Sequence, residues 1–323
     1  KIITILILYE TKFKKNMHEK TIVEAKKRLL RGELVIFPTE TVYGIGSNAE
    51  NEDAVKLIYQ VKKRPFHNPL ICHFADISEI EKNFILKQKD LELAQAFWPG
   101  PLTLILEKKE DSSINNLVSN NQNLVACRIP NNEIALNLIR ELDFPLAAPS
   151  ANIATKTSVT SISDLDDELK NIFYIDGGSS VLGLESTVLQ TTNEECKILR
   201  LGSLTMEEIK KKFTEYKIET IESNLSPGNQ LKHYSPNKSI RINVKNVFDG
   251  EALLNFGKNN LKSNIKDLNL SIRADLSEAS YNFYNFLNIL DKSKCNGIAV
   301  APIPNHGLGK TINDRLKRAA YED

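Results

Sequence analysis

What most restricts the fold of this chain is a series of short apolar runs, each closed by proline or glycine. ELVIFP (33–38), PLICHFA (69–75), PLTLIL (101–106), LVACRIP (124–130) and PLAAPSAN (145–152) are too short for helices and suit buried strands. FYIDGG (173–178) and STVLQ (186–190) add two more. Between these runs lie segments of helical spacing. Ile22, Ala25, Leu29 and Leu30 recur at helical intervals through residues 19–31, and Gly32 supplies the stop. Residues 52–62 read as a second helix, and Trp98-Pro99-Gly100-Pro101 as a turn ahead of its strand. The alternation predicts an α/β unit that runs from residue 17 to 213.

From 214 to 238 the chain turns polar, and Pro227, Gly228 and Pro236 interrupt regular structure, so this stretch reads as an ordered linker. Beyond it, SIRINV (239–244) and NGIAVAPIP (296–304) predict strands, with helices near 277–292 and 309–320. Residues 239–323 therefore form a second, small α/β unit of Rossmann-like character. A length of 323 residues agrees with two domains at ~150 residues each. Residues 1–16 are expected to be a non-native or disordered extension, with Met17 at the natural start. The apolar stretch Ile2 to Leu8 in it is far below the ~20 residues of a spanning helix, and Lys12, Lys14 and Lys15 follow it rather than precede it.

Composition removes several function classes. At 41% hydrophobic and 26% charged residues the chain is an ordinary globular one, and a net charge of +1 argues against a uniformly basic nucleic-acid binder. Cys72, Cys127, Cys196 and Cys295 are widely spaced in apolar surroundings, without a C-x-x-C pair. They point to core thiols in a reducing, cytoplasmic setting. Two apparent nucleotide motifs fail on context. Gly44-Ile45-Gly46-Ser47-Asn48-Ala49 stands beyond the end of its strand, where a dinucleotide fingerprint would follow the strand directly. Gly309-Lys310-Thr311 lacks the earlier P-loop glycine, because Pro304 occupies that place.

The chemistry-bearing residues are polar groups at strand ends and loops of the first unit. Thr39 with Thr41, Lys62 with Arg64, and Ser150 with Asn152 are spaced two apart, which aims each pair to one side of an extended segment. His73 shares a strand face with Ile71, opposite Leu70, Cys72 and Phe74. Arg128 interrupts an apolar strand, and Arg200 follows Ile198 and Leu199. A guanidinium in such a place stays charged and needs an anion. Acidic residues are scarce in these motifs, so a ligand is expected to supply it.

Nine motifs occur in one order: Pro38-Thr39-Glu40-Thr41-Val42-Tyr43-Gly44, Lys62-Lys63-Arg64-Pro65, Asn68-Pro69-Leu70, Trp98 to Thr103, Arg128-Ile129-Pro130, Pro149-Ser150-Ala151-Asn152, Glu185-Ser186-Thr187, Leu199 to Gly202, and Ser226-Pro227-Gly228 through His233-Tyr234-Ser235-Pro236. Their order resembles the threonylcarbamoyl-AMP synthase family in its long form, which implies a YrdC-like domain built as a twisted mixed sheet with helices, a linker and a small C-terminal domain. Asn229, Ser235 and Leu201 depart from the family's usual residues without removing a needed group.

The resemblance implies condensation of L-threonine, bicarbonate or CO2 and ATP, with Mg2+ accompanying ATP, to give threonylcarbamoyl-AMP and pyrophosphate. It implies Thr41, His73, Arg128, Ser150 and Ser186 around L-threonine. Around ATP it implies Lys62, Arg64, Asn68, Asn152, Ser158, Arg200, His233 and Tyr234, with Lys62 and Arg64 as catalytic groups. It further implies that the linker closes over the nucleotide and that a tRNA threonylcarbamoyl transferase machinery consumes the product. Two rival readings remain at this point. One is a module that binds double-stranded RNA or tRNA through the same basic residues, without chemistry of its own. The other is a carbamoyl-transfer domain of a larger maturation enzyme, against which the missing zinc-type cysteine pairs argue.

Overall fold

A computed structural model of the chain describes residues 19–193, 195–221 and 233–321. The extension expected over 1–16, Met17 and the Ser226-Pro227-Gly228 part of the linker lie outside the described residues.

The short apolar runs become the strands of one large mixed sheet. In chain order these are β1 (Val35–Phe37), β2 (Gly44–Asn48), β3 (Ile71–His73), β4 (Phe84–Ile85), β5 (Leu102–Lys108), β6 (Leu124–Arg128), β7 (Leu146–Ala147), β8 (Phe173–Tyr174), β9 (Thr187–Thr191), β10 (Glu195–Arg200) and β11 (Lys217–Thr220). Their spatial order is β11-β10-β9-β5-β6-β3-β7-β2-β1-β8, with β4 beside β5. Parallel and antiparallel neighbours mix: β3 runs parallel to β6 and antiparallel to β7. The dinucleotide-like glycines are part of β2 itself, not of a strand-to-helix turn.

Helices α1 (19–30), α2 (Glu52–Lys62), α3 (Ile77–Asn83), α4 (Gln88–Phe97), α5 (Glu133–Arg140) and α6 (Met206–Lys212) pack on this sheet. Each end has a local cause. Asn51 caps α2 by accepting from the Ala54 amide at 3.0 Å, and Asn132 caps α5 through the Ile134 and Ala135 amides. On α1, Ile22, Ala25 and Leu29 are buried against α5 and β1 as expected, but Leu30 is 58% exposed. One residue past Leu29 is a rotation of about 100°, which carries Leu30 off the buried stripe.

The main core lies on one sheet face, where Leu70, Cys72 and Phe74 join Ile36, Leu104 and Cys127. All four cysteines are buried and unpaired. The opposite face carries two clusters, one of Val35, Phe37 and Leu146 under α1 and α5 and a smaller one around Ile71, Ile105 and Val188, and the cleft described below opens beside the smaller one. Residues 217–220, inside the stretch expected to be linker, are a strand of the large sheet: β11 lies parallel to β10 at the edge. Ile218 is its buried member between exposed Lys217 and Glu219, so the apolar signal is a single residue.

The C-terminal unit is a parallel four-stranded sheet, β12 (Ile240–Arg241), β13 (Glu251–Asn255), β14 (Asp267–Asn269) and β15 (Gly297–Val300), in the order β12-β15-β13-β14. Helices α7 (Leu276–Asp291) and α8 (Leu308–Ala319) cover one face with Phe283, Leu287, Ile312 and Leu316. The same core takes in Val42 and Leu184 from the larger unit and Tyr234 from the linker. Burial is thus continuous across the two units. At Gly183 (φ +73) an added Cβ would stand 2.2 Å from the Ser280 carbonyl oxygen on α7, so only glycine allows that approach.

Candidate active site

The ends of β3, β6 and β10, with the loops around Thr41, Ser150, Ser186 and His233, surround a cleft of about 540 Å³, its open mouth included. Of the thirteen residues that the resemblance assigns to L-threonine and ATP, nine line it: Thr41, Arg64, His73, Arg128, Ser150, Ser186, Arg200, His233 and Tyr234. Each of the nine is buried or nearly so, which makes the cleft recessed and leaves its charges poorly screened.

Arg128 ends β6 and is held from three sides. Its Nε donates to the Gly100 carbonyl at 3.1 Å and its Nη1 to Thr41 Oγ1 at 2.9 Å, while Nη2 lies 2.6 Å from Glu40 Oε1. Thr39 gives its proton to the Val42 carbonyl at 2.6 Å, so Thr41 donates to Thr39 across their 2.8 Å contact and keeps a lone pair for Arg128. The anion expected from a ligand is therefore partly supplied by the protein, from a glutamate inside the first motif. The pair is Coulombic rather than hydrogen-bonded: both Glu40 oxygens and Arg128 Nη2 have no aligned hydrogen-bond partner among the described residues.

His73 follows from the strand alternation, since Cys72 enters the core while Ile71 and His73 face the cleft. Its Nδ1 is 3.2 Å from the Ile71 carbonyl, which only accepts, so that nitrogen carries the proton in the tautomer assigned from this partner. Burial first, and then the charge of Arg128, push its pKa down to about 3. The imidazole is neutral at physiological pH. His233 is also driven well below its ordinary value, by burial and then by Arg64, Arg315, Lys62 and Arg200.

The nucleotide-side candidates divide into wall and support. Arg64 reaches the cleft while Nε donates to the Asn68 carbonyl at 3.0 Å and Nη2 to Asn68 Oδ1 at 2.6 Å and the Pro69 carbonyl at 2.7 Å. Burial lowers its pKa to about 10, so it stays charged. Asn68 thus orients Arg64 and is not itself on the wall. Lys62 and Arg64 are not an extended pair: Lys62 closes α2 and Lys63 is left-handed at φ 52. Lys62 Nζ turns inward to the Ser150 carbonyl at 2.5 Å and to the Asn152 carbonyl, and burial holds its pKa well below the usual lysine range. Asn152 receives the Ser150 hydroxyl at 2.5 Å and donates to the Ile153 and Lys156 carbonyls. Ser158, also off the wall, gives its hydroxyl to Glu185 at 2.5 Å.

Arg200 donates to the Ser186 carbonyl through Nε at 3.2 Å and Nη2 at 2.8 Å, and Nη2 also reaches Ser186 Oγ at 3.2 Å. Ser186 Oγ is a further 2.7 Å from Thr103 Oγ1. Sequence reasoning passed over Glu40, Glu185 and Arg315, which supply and answer the charges here. The two glutamates stood inside quoted motifs. Arg315 had one signal, its place among Ile312, Leu316 and Ala319 on the apolar stripe of α8.

Three buried arginines, neutral imidazoles and small hydroxyls suit a ligand with a carboxylate and several phosphate oxygens. Burial raises the Cys72 and Cys127 thiols, which argues against a thiolate nucleophile there. Among the described residues no three His, Cys, Asp or Glu side chains gather as a metal site.

Comparison with known proteins agrees over nearly the whole chain. The family described as Telomere recombination matches residues 27–202, and the one described as Threonylcarbamoyl-AMP synthase, C-terminal domain, matches 204–321. The chain is 36% identical to a threonylcarbamoyl-AMP synthase of Bacillus subtilis (strain 168), over 93% of this chain and 92% of that one. It is 35% identical to a threonylcarbamoyl-AMP synthase of Pyrococcus abyssi, over 90% of this chain and 91% of that one. The crystal structure of P. abyssi Sua5 complexed with L-threonine superposes with a TM-score of 0.83 at 32% identity, covering 94% of each chain.

Proposed function

We infer the reaction from the premise that this chain belongs to the threonylcarbamoyl-AMP synthase family: it is an L-threonylcarbamoyladenylate synthase. It condenses L-threonine, bicarbonate or CO2 and ATP into threonylcarbamoyl-AMP and pyrophosphate, the activated intermediate for threonylcarbamoyladenosine in tRNA. The observation that carries this reading is the convergence of Arg64, Arg128 and Arg200 on one recessed cleft whose other polar side chains are hydroxyls, neutral imidazoles and the Glu185 carboxylate already paired with Arg315. Such a site positions anions and stabilises charge without forming a covalent intermediate.

In the proposed sequence the threonine amine, after losing a proton, attacks CO2 to form a carbamate and releases a second proton. A carbamate oxygen then attacks the α-phosphorus of ATP, and the bond to the β-phosphate oxygen breaks to release pyrophosphate. We assign the amino acid's carboxylate to Arg128 with Thr41, and its remaining groups to His73, Ser150 and Ser186. Arg64 and Arg200 face the phosphates, while Lys62, Asn68 and Asn152 hold that wall in shape and Ser158 fixes Glu185. Mg2+ enters with ATP as part of the substrate. His233 and Tyr234 line the cleft, and the Ser235 amide donates to the Thr155 carbonyl at 2.8 Å, which supports the linker as a cover over the nucleotide.

A tRNA threonylcarbamoyl transferase machinery consumes the product in this reading. The basic residues also allow a weak contact with double-stranded RNA or tRNA, but the recessed hydroxyls favour catalysis over an RNA module. No helix among the described residues is long and apolar enough to cross a membrane, and the four unpaired thiols support a cytoplasmic site of action. The test is a short incubation with ATP, Mg2+, L-threonine and bicarbonate. A threonine- and bicarbonate-dependent AMP adduct by mass spectrometry, with pyrophosphate, is expected; neither product from folded protein overturns the reading.

A further inference from the structure

Helix α8 belongs to the C-terminal unit, yet two of its polar side chains, Thr311 and Arg315, end on the segments that carry the cleft. Arg315 is fully buried. Its Nε donates to Glu185 Oε2 at 3.0 Å, its Nη2 to the Leu201 carbonyl at 2.6 Å, and its guanidinium carbon lies 4.6 Å from the centre of the Tyr234 ring. One turn earlier, Thr311 Oγ1 donates to the Gly202 carbonyl at 3.0 Å. Leu201 and Gly202 directly follow Arg200, and Glu185 directly precedes Ser186. At Gly202 a Cβ would stand 2.3 Å from the Thr187 amide, so the two segments cross with no room for a side chain. The other Glu185 oxygen accepts from Ser158 at 2.5 Å and from Tyr284 of α7 at 2.8 Å.

Adhesion between the units needs none of this, because apolar packing around Val42, Leu184 and Phe283 already joins them. A buried ion pair is an expensive way to add more, since both charges lose their hydration. What these bonds fix is position: the backbone just after Arg200 and the plane of the Tyr234 ring. Ser186 has a separate hold through Thr103 on the large sheet.

We propose that α8 is a clamp on the nucleotide half of the cleft, with Arg315 and Thr311 as positioning residues for Arg200 and Tyr234. This deepens, and rests on, the adenylation reading above. The C-terminal unit is then a working part of the ATP site and not a passive cover.

The test uses the full chain with Arg315→Lys, Thr311→Val and Tyr284→Phe. Binding of α,β-methylene-ATP in the presence of L-threonine, and of L-threonine alone, is measured by calorimetry well below each variant's melting temperature. Loss of position on one wall should weaken the analogue about tenfold while changing L-threonine less than about threefold. A merely structural defect lowers the melting temperature without that split. Should Arg315→Lys fail to fold, Thr311→Val, which removes one hydroxyl, carries the measurement. Analogue binding within twofold of wild type, or equal weakening of both ligands, overturns the clamp. An unmutated chain that binds both ligands but forms no adduct overturns the reaction reading instead.

Discussion

The two buried arginine–carboxylate pairs beside the cleft are finished to different degrees. Glu185 and Arg315 are fully engaged: the carboxylate takes hydrogen bonds from α7, α8 and Ser158, and the guanidinium is also bonded to Leu201 and Asp314. Glu40 and Arg128 touch at 2.6 Å, but neither Glu40 oxygen is hydrogen-bonded among the described residues. The first pair is a joint with nothing left to offer. The second keeps an unsatisfied donor on Arg128, which lines the cleft where an amino-acid carboxylate is proposed to sit. Saturation of hydrogen bonds, more than burial or charge, separates architecture from machinery here.

The sharpest way to break this contrast is to remove a partner from the saturated pair. Arg315→Leu leaves the Glu185 charge buried and should cost about 3 to 5 kcal/mol of stability in urea unfolding, against about 1 to 2 kcal/mol for Glu40→Gln, whose amide oxygen still faces an Arg128 that keeps its bonds to Gly100 and Thr41. Equal losses for the two variants would erase the distinction. Next in size, Arg128→Ala should weaken use of L-threonine and Arg64→Ala use of ATP, each by about 1.5 to 3 kcal/mol in kcat/KM. Indistinguishable profiles for both substrates in both variants would refute the division of the cleft.

The smallest effect is in pH. His73 titrates near 6.5 when unfolded but at about 3 when folded. The unfolded chain therefore binds the extra proton as pH drops, and stability present above 6.5 falls between 6.5 and 3. From pH 6.5 to 5.5 the loss from His73 should be about 1 kcal/mol. His73→Gln should flatten that part of the stability curve. The joint responds in another window: the folded Glu185 pKa is lowered, against the cost of burial, by Arg315, Arg200 and the Ser158 hydrogen bond, so its contribution is lost only below the unfolded carboxylate range. A curve that His73→Gln leaves unchanged above pH 5 would show that the histidine is not buried neutral.

Sequence alone carried the α/β alternation and the cleft wall, because Arg128 and Arg200 stand where a charge contradicts an apolar run. It missed β13, whose five residues are all buried and so lack the alternation that marks a strand. It missed β14 because Asp267 and Asn269 flank a single apolar residue. Lys62, Asn68, Asn152 and Ser158 sat in the right motifs, but distinguishing wall from support needs the direction of a side chain, which motif order does not contain. Arg315 was legible in principle, as a charge on a stripe otherwise apolar.

The clamp also has a consequence for how the molecule is made. Glu185 waits for a partner encoded 130 residues further along the message, Arg315 on α8, and Tyr234 packs on the same side chain. During synthesis the larger sheet can assemble from its own strands, but its cleft stays incomplete until residue 315 has cleared the ribosome exit tunnel. Catalytic competence then arrives late and all at once, with the docking of a single helix.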